Sequence, residues 1–284
     1  MPEGFQRILP VFFAGCLIAA APPPAFAADA SAWDNDLRSA ARLIAAGART
    51  EAGGRVLRAG VEVKLNPGWK TYWRYPGDSG VPPTFDFSKS DNVKQVTVLW
   101  PAPERFVDGG GTSIGYKGDV IFPLRVVPQD AGKPVTLRMK FDYGVCEKLC
   151  VPAKAQSELR LTGGGGAQDR ALDAAEARVP KAGHVGDRGP LSIRAVRRDV
   201  GGSKPRIVVD VAAPAGAALD LFAEGPAADW ALPLPEPVPG AAAGLRRFAF
   251  ELDGLPPGAK PDGATLRFTA VAGREAVEAA FRLD

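Results

Sequence analysis

Short strand-like runs, each cut off by glycine or proline at intervals of roughly 10–15 residues, constrain this chain more than any other feature of its sequence. Val56 to Leu65 reads as a strand. Its second half alternates strictly, with Val61, Val63 and Leu65 interleaved with Glu62 and Lys64, the period of a half-buried strand. Asn66-Pro67-Gly68 follows as a turn. Trp69 to Tyr75, Val93 to Trp100, Val120 to Val127 and Val135 to Tyr143 are further strand-like runs rich in β-branched and aromatic residues. Pro101 and Pro103 close one of them and Pro128 another, because proline cannot donate to a ladder. With 33 glycines and 27 prolines in 284 residues, the punctuation is too dense for a helical bundle. No helix alternates with these strands as βαβ units require. The pattern predicts an antiparallel sandwich over the first half.

A run of four glycines, Gly163 to Gly166, breaks the pattern. The stretch from Gln168 to Arg178 is rich in Ala, Leu, Glu and Arg and predicts a short helix stopped by Pro180. Lys181 to Pro190 reads as linker. Strand-like runs then resume at Leu191 to Val196, Arg206 to Val211, Leu219 to Ala223, Arg246 to Leu252, Thr265 to Val271 and Ala276 to Leu283, enough for a second small sandwich. The expected architecture is all-β: two immunoglobulin-like antiparallel β-sandwich domains joined by a short helical linker. The expected divisions are 1–27, 28–162, 163–190 and 191–284. Hydrophobic residues make up 46% of the chain, sufficient for packed cores.

Residues 1–27 read as an export signal. Arg7 supplies a positive start, Ile8 to Ala21 is apolar apart from Pro10, and Ala25-Phe26-Ala27 is a small-x-small cleavage site. The apolar run is too short for a membrane span. Phe13-Ala14-Gly15-Cys16 loosely resembles a lipoprotein box, but the downstream cleavage site favours a free mature chain starting near Ala28. The expected compartment is the bacterial periplasm. The net charge of +3 comes from scattered residues, without the basic stripe that nucleic acid requires.

Beyond Cys16, two cysteines remain, in Cys146-Glu147-Lys148-Leu149-Cys150. An oxidising compartment makes an even pair redox-competent. Strand-like residues lead into the pair and out of it, so three intervening residues would form a hairpin tip with the cysteines facing each other at about 4.5–5.5 Å, a span a disulfide accepts. Two readings stand side by side on spacing alone. One is a disulfide active in exchange. The other is a staple, which with so small a loop would contribute only about 2 kcal/mol. A structural zinc site wants four ligands, and the chain offers these thiols and a single histidine, His184, in the expected linker. Two thiolates would suit Cu(I), which leaves a copper-handling or copper-tolerance adaptor as an alternative. No Cys-x-x-Cys, haem-attachment, Ser-His or paired-carboxylate arrangement is present. No cofactor and no resident metal are expected. Gly109-Gly110-Gly111 lacks the following Lys-Ser/Thr of a phosphate cradle and reads as a flexible loop.

Three stretches together resemble one family. They are Gly68-Trp69-Lys70-Thr71-Tyr72-Trp73-Arg74 with Pro76-Gly77-Asp78-Ser79-Gly80; Gly115-Tyr116-Lys117-Gly118-Asp119-Val120 with Phe122-Pro123; and Tyr143-Gly144-Val145-Cys146 through Cys150-Val151-Pro152-Ala153. The set resembles the N-terminal periplasmic domain of the thiol:disulfide interchange protein DsbD, and more closely its ScsB-like relatives. The likeness is good over about 38–161 and looser beyond.

The resemblance implies an immunoglobulin-like sandwich whose disulfide, here Cys146–Cys150, takes electrons from a thioredoxin-like domain fed by a membrane electron conduit. It passes them to periplasmic disulfide isomerases or to cytochrome c maturation proteins. It also implies a cap loop over the pair, here Gly109 to Lys117 with Tyr116 as the shield; where some members carry a Phe just before this tyrosine, Gly115 stands. Cys150 would be the sulfur that bonds the partner. Tyr72, Tyr116 and Tyr143 would line the site, or serve as strand aromatics in the sheet core or on its face, the ordinary reading for Tyr72 taken singly; Asp78 would stand near the site or form a turn. Trp69 and Trp73 share a face, with core packing as the ordinary reading. No electron conduit or thioredoxin-like segment is found up to Asp284, so the expected role is one component of a protein-disulfide reductase working with a separate membrane protein. A structural two-domain module with an inert disulfide is the remaining alternative.

Overall fold

A computed structural model describes Met1 and residues 28–51, 53–77, 80–108, 111–201 and 204–284. The expected signal segment with Cys16, and Asp78, lie outside the described residues. The chain forms β1 (Asp34–Asn35), β2 (Ser39–Glu51), β3 (Gly54–Leu65), β4 (Lys70–Gly77), β5 (Thr84–Asp86), β6 (Val93–Val98), β7 (Glu104–Asp108), β8 (Gly111–Lys117), β9 (Val120–Pro128), β10 (Val135–Cys146) and β11 (Cys150–Leu161). After helix α1 (Asp169–Glu176) come β12 (Lys181–His184), β13 (Ser192–Asp199), β14 (Arg206–Ala212), β15 (Leu219–Glu224), β16 (Glu236–Val238), β17 (Leu245–Glu251), β18 (Thr265–Ala272) and β19 (Glu275–Arg282).

Two antiparallel sheets make the first sandwich. One runs β1-β2-β3-β9-β6 and the other β11-β10-β4-β8-β7, with β5 also on β10. The period-two pattern of β3 turns Val61 and Val63 inward. There they join Phe122, Leu124, Leu137, Phe141 and Trp73 in one core. Phe85, Phe141 and Tyr143 stack through this core, with ring centroids 4.5 Å and 4.2 Å apart. The second sandwich packs β12-β19-β18-β15 against β13-β14-β17-β16 around Ile207, Val209, Phe248, Phe250, Leu266 and Phe268. The all-β, immunoglobulin-like sandwich architecture expected from the sequence is the one observed.

Several elements depart from the sequence reading. The stretch Lys181 to Pro190, expected as linker, opens with β12, which pairs parallel to β19, Lys181 opposite Val277 and His184 opposite Ala280. Strand β8 falls in the stretch Gly109 to Lys117 that the resemblance gave as a cap loop, and β7 precedes it where the sequence showed no strand. Helix α1 is not suspended between the halves. It lies on the outer face of the first sheet, where Leu172 is buried against Ile44 and Ala46. There Arg58, only 6% exposed, donates to Glu176 at 2.9 Å and also bonds Asp173.

Candidate functional site

The register of the second sheet of the first sandwich builds the site. Strands β10 and β11 form one long hairpin in which Cys146 stands directly opposite Cys150, their Cα atoms 4.1 Å apart and their sulfurs joined in a disulfide. Glu147, Lys148 and Leu149 make the tip, all exposed. The neighbouring strand β4 places Lys70 opposite Cys146 and Thr71 opposite Val145. Next, β8 places Lys117 opposite Lys70 and Gly115 opposite Tyr72. Successive side chains on a strand point to opposite faces. Val145, Trp73 and Tyr116 therefore join the core, while Cys146, Lys70, Tyr72 and Lys117 share the outer face.

On that face the two sulfurs differ in access. Cys146 is 2% exposed, whereas Cys150 is exposed. Cys146 is buried in a small cluster with Tyr72 and Phe106. The Tyr72 hydroxyl sits 2.8 Å from Cys150 Sγ. A disulfide sulfur carries no hydrogen, so the hydroxyl donates. Gly144 makes room for this ring, since a Cβ there would stand 2.9 Å from Tyr72 Cε2, and Gly115 lets β8 lie close to the β4 backbone, since a Cβ there would stand 2.8 Å from Tyr72 Cα. Phe106 covers the cluster from β7. The Nζ of Lys70 lies 4.8 Å from its ring centroid and that of Lys117 5.8 Å, cation–π distances. Glu104 approaches Lys117 at 3.7 Å and offsets part of this positive charge.

Of the residues singled out from the sequence, the fold brings Cys146, Cys150 and Tyr72 together. Tyr116 is corrected. It points into the core, where its hydroxyl donates to the Pro101 carbonyl at 2.9 Å and its ring meets Phe122 edge-on. Burial pushes that hydroxyl's pKa well up. Its strand parity, opposite to that of Lys117, takes it away from the sulfurs. Tyr143 also faces the core side, sharing a 2.7 Å hydrogen bond with Ser39. Burial raises its pKa, and it supports the strand that ends in Cys146 without touching the disulfide. Trp69 and Trp73 both pack on the core.

Sequence reasoning missed Phe106 and Lys70. Phe106 was legible only through the period-two relation to Glu104 on a strand hidden by the glycine run. Lys70 was legible from its position between Trp69 and Thr71, which sends it to the face opposite the core. His184 projects from β12 with its side chain 93% exposed, 4.0 Å from Asp187. Among the described residues, no three His, Cys, Asp or Glu side chains converge as a metal site would need. None of the helices described is long and apolar enough to cross a membrane.

Comparison with known proteins bears on the same region. Residues 41–162 match the family model described as thiol:disulfide interchange protein DsbD, N-terminal. A similar solved structure is that of the N-terminal periplasmic domain of ScsB from Proteus mirabilis. It superposes with a TM-score of 0.67 at 20% identity, covering 90% of this chain and 98% of that one, so the likeness in fold runs through both sandwiches. No curated protein sequence matches the chain. The hairpin with its paired cysteines lies inside the segment, residues 41–162, that matches the family of DsbD N-terminal domains, and the match supports reading this segment as a thiol–disulfide interchange domain that carries the Cys146–Cys150 disulfide.

Proposed function

We propose that the chain works in the periplasm as an electron relay, exchanging the Cys146–Cys150 disulfide with thioredoxin-like proteins. In this reading it accepts electrons from a separate membrane reductase and hands them to periplasmic partners of the disulfide-isomerase or cytochrome c maturation type. The observation that carries the reading is the unequal access of the two sulfurs: Cys150 is exposed at the end of the hairpin and Cys146 is covered. A staple needs no such asymmetry.

The chemistry follows from that geometry. A partner thiolate attacks Cys150 Sγ, a new intermolecular S–S bond forms, and the Cys146–Cys150 bond breaks with Cys146 leaving as thiolate. The ammonium of Lys70, opposite Cys146, offsets the charge that develops there. The partner's second thiolate then attacks its own mixed-disulfide sulfur and releases Cys150. Two electrons have passed, leaving two cysteine thiols here and a disulfide in the partner. Delivery to a downstream disulfide is the reverse sequence, with Cys150 as the attacking sulfur and Cys146 as the resolving one.

The test uses the mature protein and reduced thioredoxin that retains only its attacking cysteine. A mixed disulfide accumulates and peptide mapping places it on Cys150. The pair's potential, from equilibration in glutathione or dithiothreitol buffers, falls in the exchange-active range of roughly −120 to −270 mV. An adduct on Cys146, or a pair that yields only in denaturant, overturns the proposal.

A further inference from the structure

The two strands that carry the aromatic cover of the disulfide are also the two that the second sandwich grips. On β4, Tyr72 faces the sulfurs while Trp73 and Tyr75 face the other way, and Arg74, in the stretch where the register with β8 shifts, reaches the second sandwich as well. The Trp73 ring lies 5.8 Å from that of Phe222. Arg74 donates to both carboxylate oxygens of Glu224 at 2.8 and 2.7 Å and bonds Glu278. The Tyr75 hydroxyl donates to the Leu232 carbonyl at 2.9 Å. On β7 the same alternation holds. Phe106 covers Cys146, and Arg105, one residue away, points to the second sandwich. It donates to Asp220 at 2.9 and 3.3 Å, to the Pro235 carbonyl at 2.9 Å, and to Glu236.

These contacts matter more for β7 than for β4. Strand β4 lies between β10 and β8, whereas β7 is the outer strand of its sheet and is held by β8 alone. The β7–β8 ladder has five rungs, and Val107 beside Phe106 is 80% exposed. An edge strand held by one short ladder belongs to the part of a fold that opens most readily. Its fixed point on the side away from the sulfurs is the Arg105 guanidinium, which is itself 20% exposed.

We infer that Arg105 is a positioning residue for disulfide exchange: by tying β7 to Asp220, Pro235 and Glu236 it holds Phe106 over Cys146, so that the second sandwich governs how often the disulfide is uncovered. The inference rests on the proposed exchange function for its meaning, and its structural content stands apart from it. A partner that competes for the second sandwich, or shifts it, would uncover the sulfurs without touching them.

The experiment is reduction of the full mature protein by dithiothreitol under native conditions, in which the reagent is oxidised to its cyclic disulfide and the cysteine pair becomes two thiols. Hydrogen exchange is read in parallel. The double variant Arg105→Ala with Asp220→Asn removes the tie without leaving a buried carboxylate uncompensated. Its reduction is expected to be about tenfold faster, the scale set by losing charge-assisted hydrogen bonds from the closed state. Backbone amides of β7 lose protection while those of β10 and β3 keep theirs. Arg105→Lys keeps the charge but not the fork and gives an intermediate rate. Arg138→Ala, which breaks ion pairs with Asp91 and Glu158 at the end of β10 remote from Cys146, reduces at the wild-type rate.

Equal rates in the double variant and wild type overturn the inference, as does an acceleration accompanied by equal loss of protection in β3 and β10. Should the double variant fail to fold, the Arg105→Lys rate and exchange pattern decide. Should the wild-type pair resist dithiothreitol altogether, the exchange function falls. In that case protection of β7 in the variants still decides whether Arg105 holds the flap.

Discussion

Tyr72 is the residue in which packing and chemistry are hardest to separate. Its ring is fully buried, yet its hydroxyl ends at Cys150 Sγ. Replacing it with Phe keeps the ring and the cover and removes only the donor. Negative charge spreads over the sulfurs during exchange, and a hydrogen bond to a charged group contributes about 1.5 kcal/mol or more, so Tyr72→Phe is expected to slow reduction by thioredoxin about tenfold with little change in urea midpoint. Stopped-flow kinetics beside a denaturation curve would show it, and an unchanged rate would reduce the hydroxyl to a bystander. The sequence made the cysteine pair legible because a hairpin needs only local spacing to set Cys146 against Cys150. It misassigned Tyr116 because the face on which a side chain emerges depends on the pairing of β8 with β4, which sets Tyr116 opposite Thr71, a partner far away in the sequence. Phe106 was hidden for the same reason, on a strand that has no apolar alternation of its own.

At the level of elements, strands whose apolar residues alternate were readable, and those whose backbone is recruited by neighbours were not. β3, β9 and β10 carry their own period. β2 is rich in alanine, a helix former, and is a strand because it lies between β1 and β3 in the sheet. β16 contains Pro237 and survives only at an edge, where a missing donor is tolerated. The sheet to which β16 belongs also holds a charge that can be tested. Asp210 on β14, 6% exposed, accepts from Arg247 at 2.6 and 2.9 Å and from Arg197 at 3.0 Å. Those hydrogen bonds, Arg247's above all, hold its pKa below the usual carboxylate value. A carboxyl with a depressed folded pKa contributes stability that is present above its unfolded pKa and lost as pH falls through the folded one. Asp210→Asn should therefore cost about 2 kcal/mol near neutrality, and the gap to wild type should narrow below about pH 4. Urea unfolding across pH measures it; a gap independent of pH would assign the cost to shape rather than charge.

For the molecule as a whole, the two sandwiches share more than a linker. Phe222 belongs to the second by sequence and to the first core by packing, with no exposure at all. Phe222→Ala should cost about 3–5 kcal/mol, and tryptophan fluorescence and far-UV dichroism should shift together in denaturant, since Trp73 and the strands lose the same support; two separated transitions would show that the halves melt independently. The joint itself has a further consequence. β19 spans eight residues, and left bare it would offer a row of open donors and acceptors to any passing strand. The chain lays β12 along it instead, only four residues long, with Lys181, Ala182 and His184 exposed. So short and polar an edge makes a poor template for another molecule. The segment that leads from one sandwich into the other is thus also the guard against self-association: a molecule pulled open at this joint becomes adhesive as it opens, and keeping its halves seated and keeping itself soluble are the same act.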